Sequence, residues 1–530
     1  MAGSDDLAAT PLVTRMAIRR DRIRIVVWIA ALIALVAVSA SSVEGLFPTQ
    51  ADLEQAAIAS DNPAIIVFNG PAQALDTLGG QVAFQIGSFG LVMAAIMGIM
   101  LTGRLTRGEE QSGRLELLRS LPVGRQAPTA AAVIVVGGTA VATGALISAS
   151  LLALGLPVAG SVSFGLGYLL TTVLFGAVTL VAAQLFDNAR SVYGWSLAVL
   201  GVAYGLRAVG DITGGGLSWL SPIGWMQKAR PFAGERWWPF LLAAATVAAL
   251  TVTAGALLRR RDLGAGLLPD RPGPARAPER LRGPTTLTLR LQRTTVLGWA
   301  AGALAAGGAY GLVAPTIETF VTDNQAMADI LTGDLAGDLI SRFLSQAMQL
   351  LALLAAAAAV QSLLRFRSDE RSTFTEAVLA RPVSRWSLFG GAVGVAAAVS
   401  VVVIGVGALA AGVGAAAALD DPDRTAQTLE AAVALLPAVW IVGAVTALLI
   451  GVVPRWSTVS WVVVVWSLVV MMFGTLLDLP SWLAATSPFD HVPPVPAEPS
   501  APLTAAVMTA VAAGLTAIGA YGFRRRDLTN

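Results

Sequence analysis

The stretch RGEEQSGRLELLRSLPVGR, Arg107 to Arg125, recurs 260 residues later as RSDERSTFTEAVLARPVSR, Arg367 to Arg385. Arg107, Glu110, Glu116, Pro122, Val123 and Arg125 match Arg367, Glu370, Glu376, Pro382, Val383 and Arg385 at that one offset. Three further landmarks extend the repeat. Trp195 pairs with Trp461, Ser221-Pro222 pairs with Ser487-Pro488, and RRRDL at Arg259 to Leu263 returns at Arg524 to Leu528. A period this long means that one unit has been duplicated, so each half must be a structure of the same kind and orientation.

What kind of structure follows from the flanks. The chain is 55% hydrophobic and 13% charged, with mean hydropathy +0.71, whereas a soluble domain is about 25% charged. Crossing the hydrocarbon takes about 20 mostly apolar residues, because every backbone polar group must be satisfied within the helix. Twelve segments qualify, near residues 24–45, 82–103, 127–156, 162–186, 192–209, 238–258, 295–314, 343–364, 387–418, 428–452, 457–477 and 501–522. The first is too long for a cleavable signal and is expected to remain as an anchor. The predicted fold is all-α and integral to the membrane, two tandem six-helix halves at 24–258 and 294–523.

Arginine sets the orientation. Arg104, Arg107, Arg114, Arg119 and Arg125 crowd one loop and nine arginines fill 259–293, while 46–80 and 315–340 carry only acids: Asp52, Glu54, Asp61 and Asp76, then Glu318, Asp323, Asp329, Asp334 and Asp338. The arginine-rich loops are therefore cytoplasmic and the acidic ones external, which puts both termini in the cytoplasm of a bacterial plasma-membrane protein. Residues 1–23, with Arg15 to Arg24, read either as an amphipathic helix on the inner surface or as a disordered basic tail. The linker 259–293, with Pro269, Pro272, Pro274, Pro278 and Pro284, reads as a tether, and 524–530 as a short tail.

Counting residues excludes several functions. There is no cysteine, so neither a thiolate metal site nor a catalytic thiol can exist. The pI of about 9.3 reflects membrane-edge arginines, not a nucleic-acid surface. A phosphate-binding loop needs lysine followed by serine or threonine, and the single lysine, Lys228, precedes Ala229. The single histidine, His491, falls in an external proline-rich loop, and no nucleophile and base pair suggests a lipid-processing enzyme. Proton coupling calls for carboxylates in mid-membrane. The central parts of the spans contain none, and Glu44, Arg207, Arg342, Glu430 and Asp478 lie at predicted edges, where they are expected to snorkel.

What remains is a membrane machine driven by a partner. Each repeated loop is predicted to form one short cytoplasmic helix, with Glu109 and Glu116, or Asp369 and Glu376, seven apart on one face. Ser368 is placed to cap the second helix, and Pro122 and Pro382 to stop each one. Charged loops also arise as plain solvated, topology-setting segments; the same side chains returning at the same spacing favour a docking surface.

The acidic pair, the second Glu, the closing Pro-Val-x-Arg, terminal RRRDL and the external Ser-Pro together resemble ABC type 2 exporter permeases. The double-length form resembles tetronasin-type polyketide antibiotic exporters over essentially the whole chain. The resemblance implies that the loop after each half's second span is a coupling helix seated on an ABC ATPase subunit, two copies per permease. Glu109, Glu110, Arg114, Glu116, Asp369, Glu370 and Glu376 would carry that contact. ATP and magnesium would sit on the partner, with no cofactor in this chain. It also implies re-entrant external segments before each last span, and a central cavity lined by the second and fifth spans of each half. Gly108 in place of Ser368, and the Trp-rich segment 210–236 in place of a proline run, make the halves inequivalent. The soft apolar stripe Phe89, Met93, Met97 and its second-half counterparts Phe343, Met348, Met471 and Phe473 are the candidate cavity residues for a hydrophobic or amphiphilic cargo, ordinary helix packing being the alternative for each. The rival reading is a secondary transporter of the major facilitator kind, also built from parallel repeats but requiring mid-membrane charge.

Overall fold

The computed structural model describes residues 5–47, 49–59, 66, 68–214, 216–262, 264–268, 276, 281, 283–322, 339–371, 374–473 and 480–527. Two compact units divide the chain, Met1–Gly273 and Pro274–Asn530, and their boundary falls within the expected linker. Twelve helices are long and apolar enough to cross a membrane, one at each predicted span, and no strand occurs among the described residues.

In the first unit these are α1 (Thr10–Leu46), α2 (Leu78–Gln111), α3 (Ala127–Ala153), α4 (Val158–Leu185), α5 (Ala189–Ile212) and α6 (Trp238–Arg260). In the second they are α7 (Pro284–Thr322), α8 (Leu339–Arg371), α9 (Arg385–Leu419), α10 (Asp423–Val452), α11 (Ser460–Phe473), which reaches membrane-crossing length with the 3₁₀ turn Pro454–Val459 before it, and α12 (Pro502–Arg525). Helix ends are set by recognisable residues. Thr77, Asn188 and Ser384 accept backbone N–H groups at the starts of α2, α5 and α9, and proline opens α1, α3, α6 and α12 within the first two positions.

The units are held by close backbone approach, the usual means of joining helices where apolar burial gives no advantage over lipid. In the first unit α2 and α4 meet at Gly98, where a Cβ would collide with the carbonyl of Thr172. In the second, α10 and α12 meet at Gly451 and Gly519. Around these contacts Met97, Phe175 and Ile147 fill the first core, and small residues such as Ala355, Ala356 and Ala438 fill the second.

Five expectations change. The N-terminal arginines form neither a surface helix nor a tail. They continue α1, which runs for 37 residues because nothing between Arg15 and Val26 breaks it. The repeated loop is not one helix. α2 extends through a π-helical turn, Arg104–Gly108, to Gln111; Gly113 at φ +71 then breaks the chain before a separate helix, Arg114–Arg119. Glu109 and Glu116 therefore lie on different helices. Ser368 caps nothing, since it lies within α8, and Glu376 sits on the separate helix Phe374–Leu379. The linker is not wholly a tether: Leu267 and Leu268 donate to Gln184 and Leu185, satisfying free carbonyls at the end of α4, and α7 already begins at Pro284. Finally, Trp195 corresponds to Trp466 rather than Trp461. The tripeptide Trp-Ser-Leu occurs at both, seventh from the start of α5 and of α11, and Ser196 and Ser467 are alike buried without a hydroxyl partner.

Asp61, Asp323, Asp329, Asp334, Asp338, Asp478, Pro269, Pro272, Pro274, Pro278, Leu263 and Leu528 lie outside the described residues, as do the side chains of Glu318 and Phe473.

The glycine contacts give a direct test. Gly451→Val forces a side chain against the backbone of Gly519 and is expected to cost about 1–3 kcal/mol or more, lowering the unfolding temperature of the purified protein, whereas Gly390→Ala, with nothing within 4 Å, should leave it unchanged. Equal behaviour of the two would contradict the packing described for α10 and α12.

Candidate functional site

The repeated motif resolves into the same cluster of charges in both units. At the arginine-rich end of the first, Glu110 lies between Arg107 (2.6 Å), three residues earlier on α2, and Arg261, just past the end of α6. Their side chains are 0%, 9% and 4% exposed for Arg107, Glu110 and Arg261. At the same end of the second, Glu370 lies between Arg367 (2.8 Å) on α8 and Arg526 (2.6 Å), just past α12. Arg261 and Arg526 are the same third arginine of the two RRRDL segments.

Asp187 adds a second negative charge near Arg107, and nearby oxygens take the remaining guanidinium N–H groups. Arg107 donates to the carbonyls of Ala183 and Ala265, both at 2.7 Å, and Arg261 to the side-chain oxygen of Gln184 at 2.6 Å. Ala183 and Gln184 close α4, where the helix dipole is negative. The closing arginine of the motif acts likewise: Arg125 donates to the carbonyl of Arg261, and Arg385 to that of Arg526, each at 2.7 Å. The Arg-x-x-Glu, the Pro-Val-x-Arg and the terminal arginines are thus one device. It fastens the end of the second helix and the loop beyond it to the end of the sixth.

The first unit adds a second cluster. Asp21 on α1, 1% exposed, accepts from Arg24 (2.8 Å), Arg104 (2.7 Å) and Arg20 (2.9 Å), and Arg20 reaches across to Glu109. In the second unit the corresponding place is neutral: Gln292, also seven residues before a tryptophan, exchanges hydrogen bonds with Ser362 on α8. The inequivalence expected from Gly108 and Ser368 arises here instead.

The sequence-selected residues therefore divide. Glu109 and Glu370 are buried in internal ion pairs, Glu109 with Arg20 and, at 3.4 Å, with Arg114; the Glu110 side chain is 9% exposed between its two arginines, and Asp369 is half-buried beside Arg365 at 3.0 Å. Glu116 and Glu376 are exposed on their short helices. Beside Glu116, Leu117 and Leu121 are 73% and 57% exposed, whereas Val378 and Leu379 pack inward on Phe366, Phe389 and Phe523. The candidate cavity residues, taken unit by unit, have different surroundings. Met97 and Met348 are wholly buried in their cores, Phe343 packs on Tyr310 of α7, and Met471 packs on the second core. Met93 is half-buried, and Phe89 lines a groove of about 480 Å³ with Val92, Leu197 and Tyr204, between α2 and α5.

Arg207 corrects a further expectation. It does not snorkel; it is fully buried, 3.6 Å from Asp211 one turn on, with its guanidinium 4.3 Å from the centre of the Tyr204 ring. Asp211 in turn accepts from Ser218 at 2.6 Å. That pair ties α5 to the segment before α6, whose short helix, Pro222–Lys228, buries Ile223 and Met226 and donates from Gln227 to Ser88 on α2. The second unit ties its equivalent segment differently, through Ser345 on α8 to the backbone of Pro494 and Ala497.

Comparison with known proteins agrees with this organisation. The multidrug efflux system permease protein Rv1217c of Mycobacterium tuberculosis is 38% identical over 519 residues, covering 97% of this chain and 94% of that protein. The chain belongs to the Rv1217c permease family. The family model for the C-terminal domain of that permease matches residues 281–524, the second six-helix unit. With twelve apolar helices, this member of the Rv1217c family is a multi-pass protein of the bacterial cell membrane.

Removing Glu110 strands two buried arginines, and breaking a buried pair in this way costs about 3–5 kcal/mol. Glu110→Ala and Glu370→Ala are expected to lower the thermal stability of the purified permease markedly, while Glu116→Ala, at an exposed position, should change it by no more than about 0.5 kcal/mol. Comparable losses at all three would show that Glu110 and Glu370 are ordinary surface charges.

Proposed function

We propose that the chain is the membrane permease of an ATP-driven ABC exporter that moves hydrophobic or amphiphilic compounds, drugs among them, out of the cell. In this reading the driving ATPase subunits dock on the short helices Arg114–Arg119 and Phe374–Leu379. The observation that carries the proposal is the contrast within each repeat. The glutamate that could only hold the protein together is buried, while Glu116 and Glu376, six residues further on, are presented outward. A loop kept for solvation alone needs no such fixture. A loop that must transmit a push needs a rigid base, and the Arg–Glu–Arg cluster joins that base to the ends of the second and sixth helices.

Three further points support this reading. The relative is named a multidrug efflux permease. The chain contains no lysine followed by serine or threonine from which to build its own ATP loop, so the energy must come from elsewhere. The buried charges near the opposite end, Arg207 and Asp211, neutralise each other within one turn of α5. Docking at the two helices need not be equal, since exposed Leu117 and Leu121 give the first unit an apolar contact that the second lacks.

The test is charge reversal at the two exposed glutamates. One rim ion pair is worth only about 0.2–1 kcal/mol, so a single Glu116→Arg or Glu376→Arg weakens docking, and the double reversal places like charges together at both sites. The double variant is expected to insert and express normally, yet to lose both capture of the co-expressed ATPase and substrate-stimulated hydrolysis, with Asp52→Arg as the control. Retention of wild-type capture and stimulation would remove these glutamates from the interface. The unaltered chain, purified alone, should not hydrolyse ATP.

A further inference from the structure

The two units differ in one polar position that no role described so far requires. The segment Gly-Ala-Val-Thr occurs at Gly176 to Thr179 on α4 and at Gly443 to Thr446 on α10, and it fixes the register between these helices. In that register Ser163 corresponds to Glu430. Both lie near the end of the helix remote from the arginine clusters, and both line a cavity against the segment preceding the last helix. Ser163 is buried, its hydroxyl has no partner, and its cavity holds about 50 Å³. Glu430 stands exposed at the rim of a cavity of about 270 Å³ whose walls are apolar, among them Val433, Val492 and Met508. Its carboxylate accepts a hydrogen bond from Ser500 at 2.9 Å.

We propose that this cavity binds lipophilic cations, the apolar walls taking the hydrophobic body and Glu430 the positive charge. The proposal rests on the reading of the chain as an exporter of hydrophobic compounds and names a substrate class for its second unit. Charge complementarity selects the occupant. A carboxylate beside apolar walls raises the affinity for a hydrophobic body bearing positive charge, and lowers it for one bearing negative charge. A strut joining α10 to the segment before α12 would serve as well with two neutral groups, as Gln292 and Ser362 do elsewhere in this unit, so the charge itself calls for a purpose.

The experiment measures binding to the full permease in lipid nanodiscs, without ATP or any ATPase, corrected with empty nanodiscs. Failure of the proposed ATPase docking therefore leaves its outcome untouched. The probes are tetraphenylphosphonium and tetraphenylborate, alike in size and shape and opposite in charge. Glu430→Gln is expected to weaken tetraphenylphosphonium about fivefold, the effect of one rim-exposed ion pair, without weakening tetraphenylborate. Ser500→Ala removes the hydrogen bond, keeps the charge, and should leave the cation bound as in the unaltered protein. Three results would overturn the proposal: no change in cation binding with Glu430→Gln, equal weakening of both probes, or a loss with Ser500→Ala matching that of Glu430→Gln.

Discussion

Glu110 and Glu370 each neutralise arginines that arrive from two sides of a six-helix unit, one from the end of the second helix and one from beyond the end of the sixth. Buried charge of this kind survives only when every member is paired, since one unpaired partner costs several kcal/mol. The constraint spreads outward from there. The remaining guanidinium N–H groups of Arg107 must find acceptors, at Ala183 on α4 and at Ala265, which ties together α4 and the residues after α6 in the first unit. The closing arginine must meet the same chain end, which fixes the loop. The short exposed helix between these attachments is left with little freedom, which is the condition that the proposed coupling to a partner requires.

Duplication has kept this device and relaxed others. Asp21 with its three arginines in the first unit is replaced by a neutral Gln292–Ser362 pair in the second. The buried Arg207–Asp211 pair steadies the segment before α6, while backbone bonds from Ser345 steady the one before α12. The first unit therefore carries more buried ion pairs and a more apolar short helix, Arg114–Arg119. The second carries a cavity near its opposite end with a carboxylate at the rim, where the first has the buried Ser163.

Much of this was legible in the sequence. Hydropathy placed all twelve helices, because a continuous apolar run of about 20 residues can satisfy its own backbone in lipid as a helix. The repeat placed the candidate loops and even supplied the missing partner, since RRRDL recurs at both unit ends. What could not be read was which glutamate faces inward. Glu110 and Glu116 are the same residue type in the same loop, and the arginine that distinguishes them, Arg261, is far along the chain and meets Glu110 only in the folded unit. The broken helix turned on Gly113, whose left-handed φ cannot be told from the many other glycines. The methionine stripe divides for a related reason: Met97 and Phe89 lie on one helix, but the first is buried in the core while the second lines a groove. Burial depends on neighbours that periodicity does not name.

The claim that Glu110 holds the short helix Arg114–Arg119 fixed to the end of the sixth span can be measured by distance. The chain contains no cysteine, so spin labels at Glu116→Cys and Arg260→Cys report one pair cleanly by pulsed electron resonance. The account predicts a narrow distance distribution that is unchanged when substrate is added and broadens when Glu110→Ala is introduced into the labelled protein. A distribution already broad with Glu110 in place, or one left narrow by its removal, would contradict it.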